Sequence, residues 1–426
     1  MSLLKNMLLA AGGGSAYWAA RLTGATEDTG MAVAPLASGA IAVAGDTDNG
    51  ANTEGFVAVY ASDGTLQWQR RLYQGGYSFI YGVAGDASGN VYVTGYATGG
   101  SQDGYLAKYN SSGTLQWQRA LSNGTDDRGM AVTVGASGNI YLAGYAIVSS
   151  VYYAITAKYN SSGVLQWQRQ YKSNTGNSDG TGLACDTSDN VYVGVYDGTY
   201  TSLVKYNSSG TLQWERRLTS GATTCGAKAV AVDASGNPFV LASSISTYDS
   251  AVLLKYNSSG TLQWQRRLNL ATKSVEPAAV TTDSAGACYV TGTAILSPPK
   301  GFIAKYDSSG ALQWQRYLGV SSSYDVQLNA IAPLGGDLPR LLVAGRAGYP
   351  ALARDGLLLA ALPLDVTNRT FTLGGTFTIS SGALLDTTPT YTESAGAGTD
   401  AAGTLTDAAG ALTDAVGTLT PLFTPL

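Results

Sequence analysis

Short runs of alternating apolar and polar residues, separated by tetrapeptides rich in Gly, Ser and Asn, fill most of this chain. Between Tyr81 and Leu121 the pattern predicts four strands. GVAGDASG is the first, and NVYVTGYA follows it across the tight turn Ala87-Ser88-Gly89-Asn90. GYLAKYN is the third, and TLQWQRAL is the fourth, after the turn Asn110-Ser111-Ser112-Gly113. Segments this short and this rich in Val, Tyr, Leu and Thr suit a half-buried pleated surface. A period of two places Leu115, Trp117 and Arg119 on one face of the fourth strand and Gln116 and Gln118 on the other. Gly89 and Gly113 stand where hairpin turns need positive φ.

The unit recurs. Trp68, Trp117, Trp167, Trp214, Trp264 and Trp314 are spaced 49, 50, 47, 50 and 50 residues apart, and Trp18 lies 50 residues before Trp68. These are all the tryptophans in the chain, one per period, so each is expected to serve as a wedge between neighbouring units. Four antiparallel strands repeated every ~50 residues describe an all-β fold, a β-propeller of four-stranded blades. Trp18 to Leu22 matches only the fourth strand of a unit, and Asp355 to Leu362 matches only the third. The expectation is therefore seven blades, with the N-terminal segment closing the last one as a velcro strand. The domain reading is an N-terminal anchoring segment at 1–16, the propeller at 17–365 and a low-complexity tail at 366–426.

The run Asp86-Ala87-Ser88-Gly89-Asn90-Val91-Tyr92-Val93-Thr94-Gly95, followed by Ala107-Lys108-Tyr109 through Arg119, resembles the bacterial β-propeller repeat family with units of the form DxxGNVYVTG…AKYxxxGxLxWxR. The resemblance covers roughly residues 17 to 365. Ala107 to Trp117 also resembles the tryptophan-docking hairpin of quinoprotein dehydrogenase propellers. The resemblance implies architecture and no common chemistry.

Composition removes several classes of function. With His 0 there is no Ser-His-Asp triad, no Cys-His dyad and no histidine metal ligand. A net charge of -4 gives no electrostatic case for nucleic acid. Cys185, Cys225 and Cys288 form no CxxC pair and read as small buried residues. No apolar run reaches the length of a membrane span. Met7 to Ala11 is too short an apolar core for a signal peptide, so an unprocessed start is expected.

Strand order puts the short, uniform turns on one rim and the variable links on the other. Variable loops on a rigid scaffold are where binding resides. The candidate binding face comprises Tyr73, Tyr77, Asp126, Asp127, Arg128, Tyr152, Tyr153, Tyr200, Tyr248 and Tyr324. Asp86, Asp186, Asp233 and Asp283 recur once per unit and read as turn caps. Lys108, Lys158, Lys205, Lys255 and Lys305, with Arg70, Arg119, Arg169, Arg216, Arg266 and Arg316, recur at fixed sites and read as structural hydrogen-bonding groups. Asp46-Thr47-Asp48-Asn49-Gly50 is calcium-like but lacks the distal Glu of an EF-hand loop. Nothing unique to one blade marks a cofactor site, so no metal, no cofactor and no enzyme activity are expected.

Thr370 to Ile379 reads as a small hairpin around Gly374-Gly375. TDAAGTL, TDAAGAL and TDAVGTL then repeat every seven residues, placing Leu405, Leu412 and Leu419, with Phe423, at formal heptad positions. Gly, Thr, Pro421 and Pro425 oppose a stable coiled coil, so an extended or weakly helical docking segment is expected. The MSLLKNMLLAAGGG start and the Thr/Gly/Ala-rich tail resemble bacteriophage virion proteins. The functional expectation is a non-enzymatic virion component (tail tip, fibre or decoration protein). It would be anchored through its termini to other structural proteins in multiple copies, with its variable face on a host surface. The alternatives are a secreted, cell-surface glycan binder and a quinoprotein-like enzyme.

Overall fold

A computed structural model describes residues 18–22, residues 28–349 outside short loop segments (49, 74–75, 99–101, 123–125, 173–176, 199, 220–223, 246, 321–324 and 335–339), and the strands between 354 and 414. For the first strand, and for nearly all residues beyond 349, the description is of backbone alone.

The first strand, β1, is Trp18–Leu22. Six blades of four consecutive strands follow. They are β2 (Asp28–Pro35), β3 (Ile41–Asp48), β4 (Thr53–Tyr60) and β5 (Leu66–Tyr73); β6 (Ser78–Gly85), β7 (Val91–Thr98), β8 (Gln102–Tyr109) and β9 (Leu115–Ser122); β10 (Asp127–Val134), β11 (Ile140–Val148), β12 (Val151–Tyr159) and β13 (Leu165–Lys172). Next come β14 (Asp179–Cys185), β15 (Val191–Tyr196), β16 (Thr201–Tyr206) and β17 (Leu212–Thr219); β18 (Thr224–Val232), β19 (Pro238–Ile245), β20 (Ser250–Tyr256) and β21 (Leu262–Asn269); β22 (Val275–Thr282), β23 (Cys288–Ala294), β24 (Lys300–Tyr306) and β25 (Leu312–Val320). The three strands β26 (Val326–Leu334), β27 (Arg340–Tyr349) and β28 (Arg354–Pro363) complete the disc.

Counted as runs of four consecutive strands, the blades number six, against the seven expected. The remaining sheet is composite, in the order β1-β28-β27-β26. Trp18 pairs with Ala361 and Leu22 with Leu357, antiparallel, so a strand from the start of the described chain supplies the outer edge. The cores lie between sheets. Tyr289, Ile303 and Leu318 of the sixth blade pack on Val326, Leu328 and Val343 of the composite sheet. Ile41, Val43 and Phe56 of the first blade pack on its other side, against Ala332, Leu342 and Ala344. Asn329 also donates to the carbonyl of Gly30 at 3.0 Å. The sheets therefore close on themselves, and each blade buries both faces, which a blade alone would leave wet.

The expected alternation in the fourth strand fails at one point. Lys108 pairs with Trp117 and Tyr109 with Leu115, so Gln116 is an extra residue in a β-bulge. The bulge reverses the parity. Leu115 packs with Trp68 and Tyr109 on one side of the blade, and Trp117 packs with Val132, Ile140 and Tyr159 on the other. One strand thus supplies apolar groups to two inter-blade cores.

The tail continues as β29 (Arg369–Thr372), β30 (Thr376–Ser381), β31 (Leu385–Thr387), β32 (Thr392–Ala395), β33 (Thr399–Ala402), β34 (Thr406–Ala409) and β35 (Thr413–Asp414). β29 and β30 are the hairpin expected around Gly374-Gly375. From β30 on, the tail strands pair in turn with β25, β21, β17, β13, β9 and β5. The seven-residue repeat is thus the spacing of an extended belt that steps back one blade per repeat along the outer edges. Seven extended residues reach at most about 25 Å. The docking residues expected at Leu405, Leu412, Leu419 and Phe423 lie outside the described residues. No helix among the described residues is long and apolar enough to cross a membrane.

Candidate functional site

The uniform rim is structural. A Cβ added to Gly113, in the turn between β8 and β9, would lie 2.6 Å from the Trp68 ring of the preceding blade. The Trp68 indole N–H donates to the Ser111 carbonyl of the same turn at 2.9 Å. Trp117, Trp167, Trp214 and Trp264 repeat this on the next blades, donating to Ser161, Ser208, Ser258 and Ser308. Trp314 meets no such turn among the described residues, because β28 and β1 are not joined by a hairpin; like Trp117, Trp167 and Trp214 it packs beside the second-strand tyrosine of its own blade, Tyr289, at 6.1 Å. The side chain of Trp18 lies outside the described residues.

The recurring cations serve the same junction. Lys108, Lys158, Lys205 and Lys255 donate to those serine carbonyls, and Arg119, Arg169, Arg216 and Arg266 to the adjoining glycine carbonyls at 2.6 to 2.7 Å. Asp86 caps its turn by accepting from Ser88 N–H, Asn90 N–H, the Asn90 side chain and the Tyr92 hydroxyl. Its pKa is lowered, because these hydrogen bonds to the carboxylate outweigh desolvation, which acts the other way.

The variable rim breaks the repeat. The first strand of each sheet lies against the first strands of both neighbours, as innermost strands around a channel must. Each carries a bulge, which leaves residues such as Tyr81, Thr181, Lys228 and Asn329 without a cross-strand partner. Such bulges re-aim side chains. At the loop end of this layer, cross-strand pairs of differing chemistry follow one another: Thr29 with Asp46, Phe79 with Tyr96, Arg128 with Tyr145 and Asp179 with Tyr196.

The side chains of the second and third blades form one cluster here. The Arg128 guanidinium lies 4.1 Å from the Tyr96 ring centre and 5.7 Å from that of Tyr145. It donates to Asp126 at 3.0 and 3.1 Å and to Gln102 at 2.9 Å. Phe79 stacks on Tyr96 at 4.9 Å, Tyr81 lies 6.0 Å from Tyr96, and Tyr152 lies 5.4 Å from Tyr145.

Two half-buried carboxyls flank the aromatics. Burial pushes Asp46 up to about 7, offset in part by the Ile80 backbone N–H. Burial pushes Asp179 up to about 6, offset in part by the Arg128 charge. The Oδ1 atom of each has no hydrogen-bond partner among the described residues. A carboxyl that titrates near neutrality can give or take a proton where an ordinary one stays ionised. Asp46 belongs to the calcium-like string, whose remainder is turn structure, with Asp48 accepting from Gly50 N–H at 2.7 Å. No group of three or more metal-type ligands occurs among the described residues.

Of the expected binding-face residues, Asp126, Arg128 and Tyr152 come together here. Tyr77 and Tyr248 are exposed, and Asp127 is buried. Tyr153 underlies Lys172 at 5.9 Å, and Tyr200 underlies Arg217 at 4.0 Å, with Arg217 held by Asp197 at 2.9 Å. Tyr73 pairs through its backbone with Thr413, and its side chain lies outside the described residues, as does Tyr324. Sequence reasoning took Asp46 only as part of the calcium-like string and missed Phe79, Tyr81, Tyr96, Tyr145 and Asp179. The available signal was departure from the repeat: the residue after the second-strand Gly is Asp46, Tyr96 or Tyr145 in the first three blades but Thr293 in the sixth.

The family model for outer membrane protein assembly factor BamB matches residues 149–334. No curated protein matches the chain. Among solved structures, a polysaccharide lyase, an ulvan lyase bound to -[GlcA(1-4)Rha3S]-, aligns at 11% identity and a TM-score of 0.49, over 80% of this chain and 96% of that one. The polysaccharide lyase Uly1 aligns at 9% and 0.48, over 77% and 88%. Sqt1 from Chaetomium thermophilum aligns at 12% and 0.45, over 79% and 96%. At these identities the similarity is one of fold. The expectation of a protein without enzyme activity does not stand, because structures similar to this chain include polysaccharide lyases.

Proposed function

We propose that the loop-side mouth of the channel is the working site and that it binds a carbohydrate chain. The observation that carries this reading is the group of Phe79, Tyr81, Tyr96, Arg128 and Tyr145, which departs from the repeat on neighbouring blades. Aromatic faces suit the C–H faces of sugar rings, and Arg and Asp beside them suit hydroxyl and carboxylate groups. Binding to a glycan array tests it. The protein should retain at least one glycan class, and Tyr96→Ala should weaken that binding about tenfold or more. Retention of no glycan, or a variant that binds like the parent, refutes the reading.

A second reading, acid–base cleavage of the bound chain, is favoured by Asp46 titrating at about 7. It predicts product release that Asp46→Asn abolishes while binding persists. We further propose that the composite sheet acts as a seventh blade of the ring. The setting we propose is a cell or particle surface. The narrower expectation, a virion component, relied on the termini as anchors, whereas the tail strands between 369 and 414 pair with this chain's own blades or with each other. Presence or absence of the protein in purified particles tests the virion setting.

A further inference from the structure

The tail follows one rule of register. Thr378, Leu385, Thr392, Thr399, Thr406 and Thr413 lie seven residues apart and pair with Gly319, Asn269, Thr219, Lys172, Ser122 and Tyr73. Each of those partners is the fifth residue after its own blade's tryptophan. The two repeats are therefore locked together, one tail heptad for one blade, read backwards around the ring. Among the described strands, β1 is the outer edge that carries no tail strand.

The rule specifies what comes next. Seven residues beyond Thr413 is Thr420, and five residues beyond Trp18 is Thr23. We propose that residues 420–426, Thr-Pro-Leu-Phe-Thr-Pro-Leu, seat antiparallel on the outer edge of β1, with Thr420 opposite Thr23 and Phe423 opposite Ala20. Their composition fits an outermost strand. Pro421 and Pro425 are four apart, so both turn their N–H-free nitrogens to the same side of the strand. Strand residues of the intervening parity then direct their N–H groups to the other side, towards β1. Proline on the outward side also blunts the edge against further pairing. The tail thereby holds the strand that closes the composite sheet, and the two ends of the propeller clasp each other.

Disulfide trapping in the full chain tests this. Ala20→Cys combined with Phe423→Cys should give an intramolecular crosslink under mild oxidation, located by peptide mass mapping apart from Cys185, Cys225 and Cys288. The pair Ala19→Cys with Phe423→Cys, one residue out of register, should crosslink at least tenfold less. A crosslink between two copies would mean that the tail of another molecule is the occupant, and would overturn the proposal, as would equal trapping in both pairs. A second measurement is independent of the cysteines. Deleting residues 420–426 should speed hydrogen exchange of the outward amides of β1 at least tenfold and leave β5 unchanged. Unchanged exchange at β1 overturns the proposal.

Discussion

Two glycines on the same rim test whether tryptophan docking joins the blades. Gly210 and Gly138 both have positive φ, +77° and +75°. Alanine at either position pays for the left-handed conformation, about 1–2 kcal/mol. Their surroundings differ. A Cβ at Gly138 meets nothing within 4 Å, whereas one at Gly210 would lie 2.7 Å from the Trp167 ring. The indole must then move. Overpacking of this kind costs about 1–3 kcal/mol. Displacement also strains the Trp167 bond to Ser208 at 3.1 Å and the Arg169 bond to the Gly210 carbonyl at 2.6 Å, each contributing about 1 kcal/mol. Gly138→Ala should therefore lose about 1–2 kcal/mol and Gly210→Ala about 3–6 kcal/mol. Urea denaturation followed by tryptophan fluorescence measures both, and hydrogen exchange at the boundary between the third and fourth blades locates the damage. Equal destabilisation of the two variants would refute the idea that the indole, and not the turn itself, carries the junction.

Asp46 keeps its proton in the folded protein until about pH 7 but loses it near pH 4 when unfolded, so it lowers stability as pH rises across that window. Three units at 1.36 kcal/mol each set the cost above neutrality at about 4 kcal/mol. Asp46→Asn should leave stability unchanged at pH 4 and raise it by about 2–4 kcal/mol at pH 8; a parallel pair of pH–stability curves would contradict this. Asp86→Ala removes the acceptor of four hydrogen bonds and should cost about 1–3 kcal/mol by thermal or chemical denaturation, with the loss concentrated in the second blade. Truncation before Leu385 bares the outer edges of β5, β9, β13, β17 and β21, so light scattering should detect self-association that the full chain does not show.

Repetition is why so much of the architecture was legible in the residues. Each unit carries its own alternation, its own turn glycines and its own tryptophan, so the same local rules spell out the same four strands, the same capped turns and the same cation sites. The match of Trp18–Leu22 to a fourth strand likewise pointed to the edge of β28. A repeat cannot reveal what departs from it. The bulge at Gln116, which sends Leu115 and Trp117 into different cores, is decided by how β9 meets β8. The seven-residue period of the tail read equally well as one face of a helix, and the row of blade edges it lies along selects the extended form. The mouth exists because Thr29, Phe79, Arg128 and Asp179, some fifty residues apart along the chain, stand at one level of adjacent innermost strands, each beside its second-strand partner Asp46, Tyr96, Tyr145 or Tyr196. Local sequence determined the blades, since hydrogen bonding and alternation act over a few residues. Tertiary structure decided the belt and the site, since both depend on which distant strands the closed ring sets side by side.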